Sequence, residues 1–202
     1  MKNYLTLLFL ILSLGAFTQE KAKIKKNTGI FNLTEIGYLP GVGNISYDNI
    51  DIENEANTYR LRTIFGYFLT PHFSLGAGIG LDGYHNPTYN TMPLFIEGRA
   101  YLLNNRHSPF FYADIGKAIK AGMEFEEGLF FNTGIGYKFF LSEKFCIHTS
   151  IGYNLQHMKE AITWYTKTEE NGTIQLEEQS TDINMSSISF DIAIHFNILS
   201  LD

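Results

Sequence analysis

The sequence predicts an all-β fold, an eight-stranded antiparallel up-and-down transmembrane β-barrel, and three observations point to it. Hydrophobicity alternates with period two over long stretches, which is the periodicity of a strand. The alternation is also inverted relative to a soluble barrel. Bulky aliphatic and aromatic residues occupy one face, while glycine, serine, amides and charges occupy the other. A barrel in water hides its bulk inside; a barrel in lipid turns it outward. Finally, tight turns are expected to alternate with longer connections, giving one plain rim and one elaborate rim.

The pattern is clearest from Gly128 to Leu155. Leu129, Phe131, Thr133, Ile135, Tyr137 and Phe139 form one set, and Phe130, Asn132, Gly134, Gly136 and Lys138 the other. After the break Leu141-Ser142-Glu143-Lys144 the alternation resumes. Phe145, Ile147, Thr149, Ile151, Tyr153 and Leu155 face one way; Cys146, His148, Ser150, Gly152, Asn154 and Gln156 face the other. Two strands joined by a tight turn satisfy this pattern.

Taken in order, the first strand is expected over Gly29–Leu39. A charge in lipid costs more than small polar groups, so Glu35 is placed inside and Asn32 and Thr34 outside. Pro40–Ala56, rich in Gly, Asn and Asp, reads as a loop. Tyr59–Leu69 follows, with Arg60, Arg62 and Gly66 inward, then the turn Thr70-Pro71-His72. In Phe73–Tyr84 the bulky Phe73, Leu75, Ile79 and Leu81 alternate with Ser74, Gly76, Gly78, Gly80 and Asp82. His85–Asn90 reads as a loop, Thr91–Leu103 as a strand with Glu97, Arg99 and Tyr101 inward, and Pro109–Gly116 as a brief strand with Tyr112 and Asp114 inward. The long connection Met158–Asn184 carries Asn171-Gly172, a hairpin-turn dipeptide, and predicts a protruding β-hairpin. Ser186–Ile198 closes the set, with Ile188, Phe190, Ile192, Ile194, Phe196 and Ile198 outward. Strands of about 11 residues suit a tilted crossing of a bilayer.

Composition narrows the function classes. The formal charge of −6 argues against nucleic acid as a partner, because phosphates need a basic surface. The opening MKNYLTLLFLILSLGAFTQE reads as a secretory signal peptide over residues 1–18, with Lys2, an apolar run Leu5–Leu14 and small residues before Gln19. That run is short for a transmembrane helix. A short periplasmic lead over 19–28 and a barrel over 29–202 complete the expected organisation, with both barrel ends periplasmic. One cysteine, Cys146, allows no internal disulfide. His72, His85, His107, His148, His157 and His195 lack metal-ligand spacing, so neither a metal nor a cofactor is expected. The glycines of GAGIGLDG fall at period two with no helix after them, unlike a phosphate loop.

The strand GIFNLTEIGYLPGVGN, the segment AFTQE, and Gly-aromatic runs such as GIGYKFFLSEKF resemble the small eight-stranded outer-membrane barrels of the OmpA/OmpX type. Closer still, they resemble the outer-membrane β-barrel domain proteins of Bacteroidetes-like bacteria. The resemblance implies residence in the outer membrane, contact with its lipid and lipopolysaccharide, insertion by the outer-membrane assembly machinery, and a monomer. It implies no shared catalytic motif.

Candidate site residues lie inside and at the elaborate rim. Glu35, Arg60, Arg62, Glu97, Arg99, Asp114, Lys138, Asp191 and His195 all fall on the inward face and are expected to form a polar network plugging the lumen. His148-Thr149-Ser150 is superficially similar to the H-x-S of lipid A deacylases, in which His and Ser support a nucleophile. The alternation puts His148 and Ser150 inward, away from acyl chains, so both are weak catalytic candidates. Trp164 and Tyr165, beside Glu169, Glu170, Glu177 and Glu178, are candidates for extracellular contact. The expected function is a non-enzymatic structural or surface-interaction role, with a lipid A-modifying enzyme and a narrow pore as alternatives.

Overall fold

The computed structural model describes residues 27–47, 50–86, 88–120, 128–142, 145–168 and 174–199. The signal peptide expected at 1–18 and the lead up to residue 26 lie outside them. In chain order the strands are β1 (Gly29–Val42), β2 (Asn44–Tyr47), β3 (Ile50–Glu53), β4 (Asn57–Thr70), β5 (Phe73–His85), β6 (Tyr89–Tyr101), β7 (Ser108–Lys120), β8 (Gly128–Phe140), β9 (Phe145–Thr168) and β10 (Ile174–Leu199). Eight of them close into an antiparallel barrel in the order β1-β10-β9-β8-β7-β6-β5-β4; β2 and β3 form a separate hairpin. The seam between the ends pairs Ile36 with Ile192 and Gly37 with Asp191. Closure leaves no barrel edge unpaired, which a wall in hydrocarbon requires.

Period two decides what faces where. Outside, Phe65 is 59% exposed, Ile135 54% and Ile192 55%, whereas Leu33 and Ile64 are 0% exposed inside. Tyr38, Tyr59, Phe73, Tyr137, Phe139, Phe145 and Phe196 project outward toward the strand ends, where aromatic girdles flank an apolar band. Such a continuous apolar exterior is a surface suited to lipid. On β1, Asn32 and Thr34 do point outward. Asn32 Nδ2 donates to Thr63 Oγ1 at 3.0 Å and Thr34 Oγ1 donates to Asn32 Oδ1 at 3.4 Å, so the polar groups satisfy one another.

Four local expectations change. Residues 40–56 are not a plain loop: β1 runs to Val42, and the β2–β3 hairpin folds back, held where Asn54 Nδ2 donates to the Ser186 carbonyl of β10 at 2.7 Å. The β5–β6 turn is shorter than the loop expected over His85–Asn90: β5 runs to His85 and β6 begins at Tyr89, with Asn86 in a left-handed conformation at φ 58°, which Asn tolerates. The β6–β7 connection over 102–107 is longer than that turn, so tight and long connections do not alternate strictly. The fifth barrel strand is not brief; β7 spans 13 residues. The protruding hairpin is present. β9 and β10 continue past the barrel, with Lys167 opposite Gln175 and Thr168 opposite Ile174.

Candidate functional site

The inward face of a narrow barrel is a confined volume, and its chemistry follows from what must share it. All nine residues expected in the polar network lie inside and are at most 5% exposed. The arginines among them pair with carboxylates both between strands and, for Arg99 with Glu97, along one strand. Arg60 of β4 grips Asp82 of β5, Nε to Oδ1 at 3.0 Å and Nη2 to Oδ2 at 2.8 Å, and Nη2 also donates to Asn154 Oδ1 of β9 at 3.0 Å. Arg62 Nη1 reaches Asp114 Oδ2 of β7 at 2.9 Å, an oxygen that also accepts from Asn132 Nδ2 at 3.0 Å. The Arg62 guanidinium lies 4.7 Å from the centre of the Phe95 ring and 5.2 Å from that of Phe130. Gly80 makes room for this arginine, since a Cβ there would stand 2.7 Å from Arg62 Cγ.

Arg99 joins four strands. It grips Glu97 through Nε at 2.5 Å and Nη2 at 2.8 Å, approaches Glu35 Oε2 of β1 at 3.5 Å, and donates from Nη1 to His148 Nδ1 of β9 at 2.9 Å. Its guanidinium lies over Phe110 of β7 at 5.0 Å. Arginine is only a donor, so His148 Nδ1 accepts and its ring proton resides on Nε2. Buried charges are tolerated when paired and hydrogen-bonded in this way.

Apolar clusters pack toward either end of the barrel. At the end carrying the β4–β5, β6–β7 and β8–β9 turns, Phe31, Phe68, Tyr101 and Phe110 pack with His195, which stacks on Phe31 at 4.7 Å. Lys138 lies over Tyr101 and donates to Asn27 Oδ1, while Asn27 Nδ2 donates to the Pro71 carbonyl. At the opposite end Ile45 of β2 joins Ala56, Tyr84, Met158, Ile183 and Met185. The β2–β3 hairpin therefore contributes to a second apolar cluster.

His148 is 1% exposed and packed against Phe110 at 5.2 Å and His195 at 5.0 Å. Ser150 lies on the same strand, opposite Asp191. The structure places both in the lumen, His148 bound to Arg99 rather than facing lipid. Asp191 is buried beside Gly37, and no hydrogen bond or ion pair joins its carboxylate to the arginines. Trp164 and Tyr165 lie in β9, opposite Glu178 and Glu177; their side chains, and Glu169 and Glu170 entirely, fall outside the described part of the structure. Among the described residues no group of three or more His, Cys, Asp or Glu is placed to hold a metal.

Three members of the network were not singled out from the sequence: Asp82, Asn132 and Asn154. The signal was there, since each falls on the glycine-bearing face of its strand.

The barrel is similar to solved structures. Neisserial surface protein A aligns with a TM-score of 0.52 over 83% of this chain and 97% of that one, at 8% identity. The fold is that of the small outer-membrane barrels. OprG from Pseudomonas aeruginosa gives a TM-score of 0.51 over 87% of this chain and 100% of that one, at 9% identity. No protein-family description matches the sequence, and no curated protein matches it.

Proposed function

We propose that this chain is an integral outer-membrane β-barrel with a structural or surface-interaction role, without catalysis and without conduction. The observation that carries the reading is the lumen: Arg60, Arg62 and Arg99 are each bound to carboxylates, with an apolar cluster toward either end. A small eight-stranded barrel is just wide enough for side chains to fill it. The outward apolar band contacts lipid, and the elaborate rim meets lipopolysaccharide. Insertion falls to the outer-membrane assembly machinery, and the barrel acts as a monomer after export by the N-terminal signal. What it offers to the outside is the β9–β10 ribbon, including Trp164 and Tyr165. The catalytic alternative has His148 and Ser150 as its candidates. Their position inside, with His148 engaged by Arg99, supports a structural role for both.

The test combines heat-modifiable gel mobility of outer-membrane fractions with conductance of the purified protein in planar bilayers. The expected result is a compact species that shifts on boiling and shows no stepwise current. Regular current steps would replace the plug with a pore, and release from cells as a soluble species would reject the membrane reading.

A further inference from the structure

The arginines of the lumen do not account for every carboxylate in it. Among the described residues the buried inward groups include Glu35, Asp82, Glu97, Asp114 and Asp191 against Arg60, Arg62, Arg99 and Lys138. Asp82, Asp114 and Glu97 each hold an arginine, and Glu35 lies 3.5 Å from Arg99. Asp191 is 3% exposed, and neither of its carboxylate oxygens has a hydrogen-bond partner.

The closure of the barrel decides where this carboxylate points. Asp191 pairs with Gly37 across the β1–β10 seam, and Gly37 pairs on its other side with Arg60 of β4. A Cβ at position 37 would stand 2.1 Å from Asp191 Oδ1 and 3.5 Å from Arg60 Cβ. The carboxylate therefore lies over the glycine, beside Arg60. The charged groups around it are Arg60, Arg62, Arg99 and Glu35. Arg60 is engaged elsewhere: Nε and Nη2 bind Asp82, and Nη2 also binds Asn154. Its Nη1 is buried and unpartnered, as are Nε and Nη2 of Arg62.

Buried donors and buried acceptors left over in one confined space need a group that both accepts and donates, and water does both. The wall around Asp191 is made of small side chains. Gly37 stands across the seam, Ser150 opposite on β9, and Ser189 and Ala193 on either side along β10. Ser189 is taken up by the Tyr112 hydroxyl at 3.3 Å. Three guanidinium groups near the carboxylate oppose a metal cation there. A proton on Asp191 would remove its charge and still leave Arg60 Nη1 without an acceptor.

We infer that a buried water molecule joins Asp191 to Arg60, accepting a hydrogen bond from Arg60 Nη1 and donating one to the Asp191 carboxylate. The bridged pair ties β10 to β4 across β1, where the first and last strands meet. Asp191 thereby becomes the residue that fastens the seam from inside. The inference deepens the reading of the lumen as a plug and rests on it.

The test is a crystal structure of the full chain in detergent, at a resolution that shows ordered water, with water–protein NMR of the same sample. The expected density lies about 2.7–3.2 Å from both Arg60 Nη1 and an Asp191 oxygen. The Arg60 guanidinium protons should show a cross-peak to a long-lived water, and Asp191→Leu should abolish it. Direct contact between Arg60 and Asp191, or no density between them, would overturn the inference. So would an atom ringed by oxygens at about 2.3–2.6 Å, which marks a metal ion. If Asp191→Leu lacks heat-modifiable mobility, the wild-type density decides alone. Stepwise current through a barrel that holds the water contradicts the plug and leaves the bridge standing.

Discussion

Replacing Arg99 by methionine removes the group that ties β6 to β1 and β9. Methionine keeps most of the stem volume over Phe110 but deletes both hydrogen bonds to Glu97, the one to His148 and the approach to Glu35. Two carboxylates then remain in a lumen where each is at most 5% exposed. Breaking a buried ion pair from one side costs about 3–5 kcal/mol, because the partner is left uncompensated, and Arg99→Met is expected to cost about 4 kcal/mol on that basis. Glu97→Gln in the same background removes one stranded charge. The double variant should therefore recover part of the loss, with a coupling of about 1–3 kcal/mol. The assay is urea unfolding of the barrel in lipid vesicles, read as the fraction that keeps the compact mobility on unheated gels. A loss below about 1 kcal/mol for Arg99→Met, or strictly additive effects, would refute the plug as a set of interdependent pairs.

Three further outcomes follow from the same geometry. Gly66→Ala should cost about 1–3 kcal/mol in the urea assay, since a Cβ there overlaps the Phe31 ring, whereas Gly98→Ala, with nothing within 4 Å, should change stability by less than about 0.5 kcal/mol. Ile135→Lys places a charge on the outward apolar band and should cost about 2–4 kcal/mol in vesicles, a penalty absent for an outward residue in water. Replacing residues 161–181 by Asn-Gly should leave heat-modifiable mobility and the urea midpoint essentially unchanged, because the barrel pairings from Met158 and Ile183 downward do not use them.

The barrel was legible in the sequence because period two is a local signal and its faces are chemically unlike. Phe73 to Tyr84 shows this best: the glycine face and the apolar face separate residue by residue. Inward placement of Arg60, Glu97 and Asp191 followed from the same alternation. Which charge meets which did not, because Arg62–Asp114 and Arg99–Glu35 join strands distant in sequence, and strand stagger sets such pairings. The β2–β3 hairpin was hidden for a different reason. Ile45, Ile50 and Ile52 alternate only briefly among Gly, Asn and Asp, and what stabilises the hairpin is a nonlocal bond from Asn54 to β10. The extension of β9 and β10 beyond the rim was legible as a hairpin expected from Asn171-Gly172, but its residue pairing was not, because polar residues on both faces no longer separate inside from outside there.

The account turns on which face of the wall meets hydrocarbon, and methyl NMR of the barrel in lipid nanodiscs reads that face directly. With nitroxide-labelled acyl chains present, the methyl signals of Ile135, Ile151 and Ile192, all on the exposed outer face, should broaden strongly, while those of Leu33 and Ile64, at 0% exposure inside, should persist. Broadening of Leu33 and Ile64 with Ile135, Ile151 and Ile192 unaffected would contradict the account.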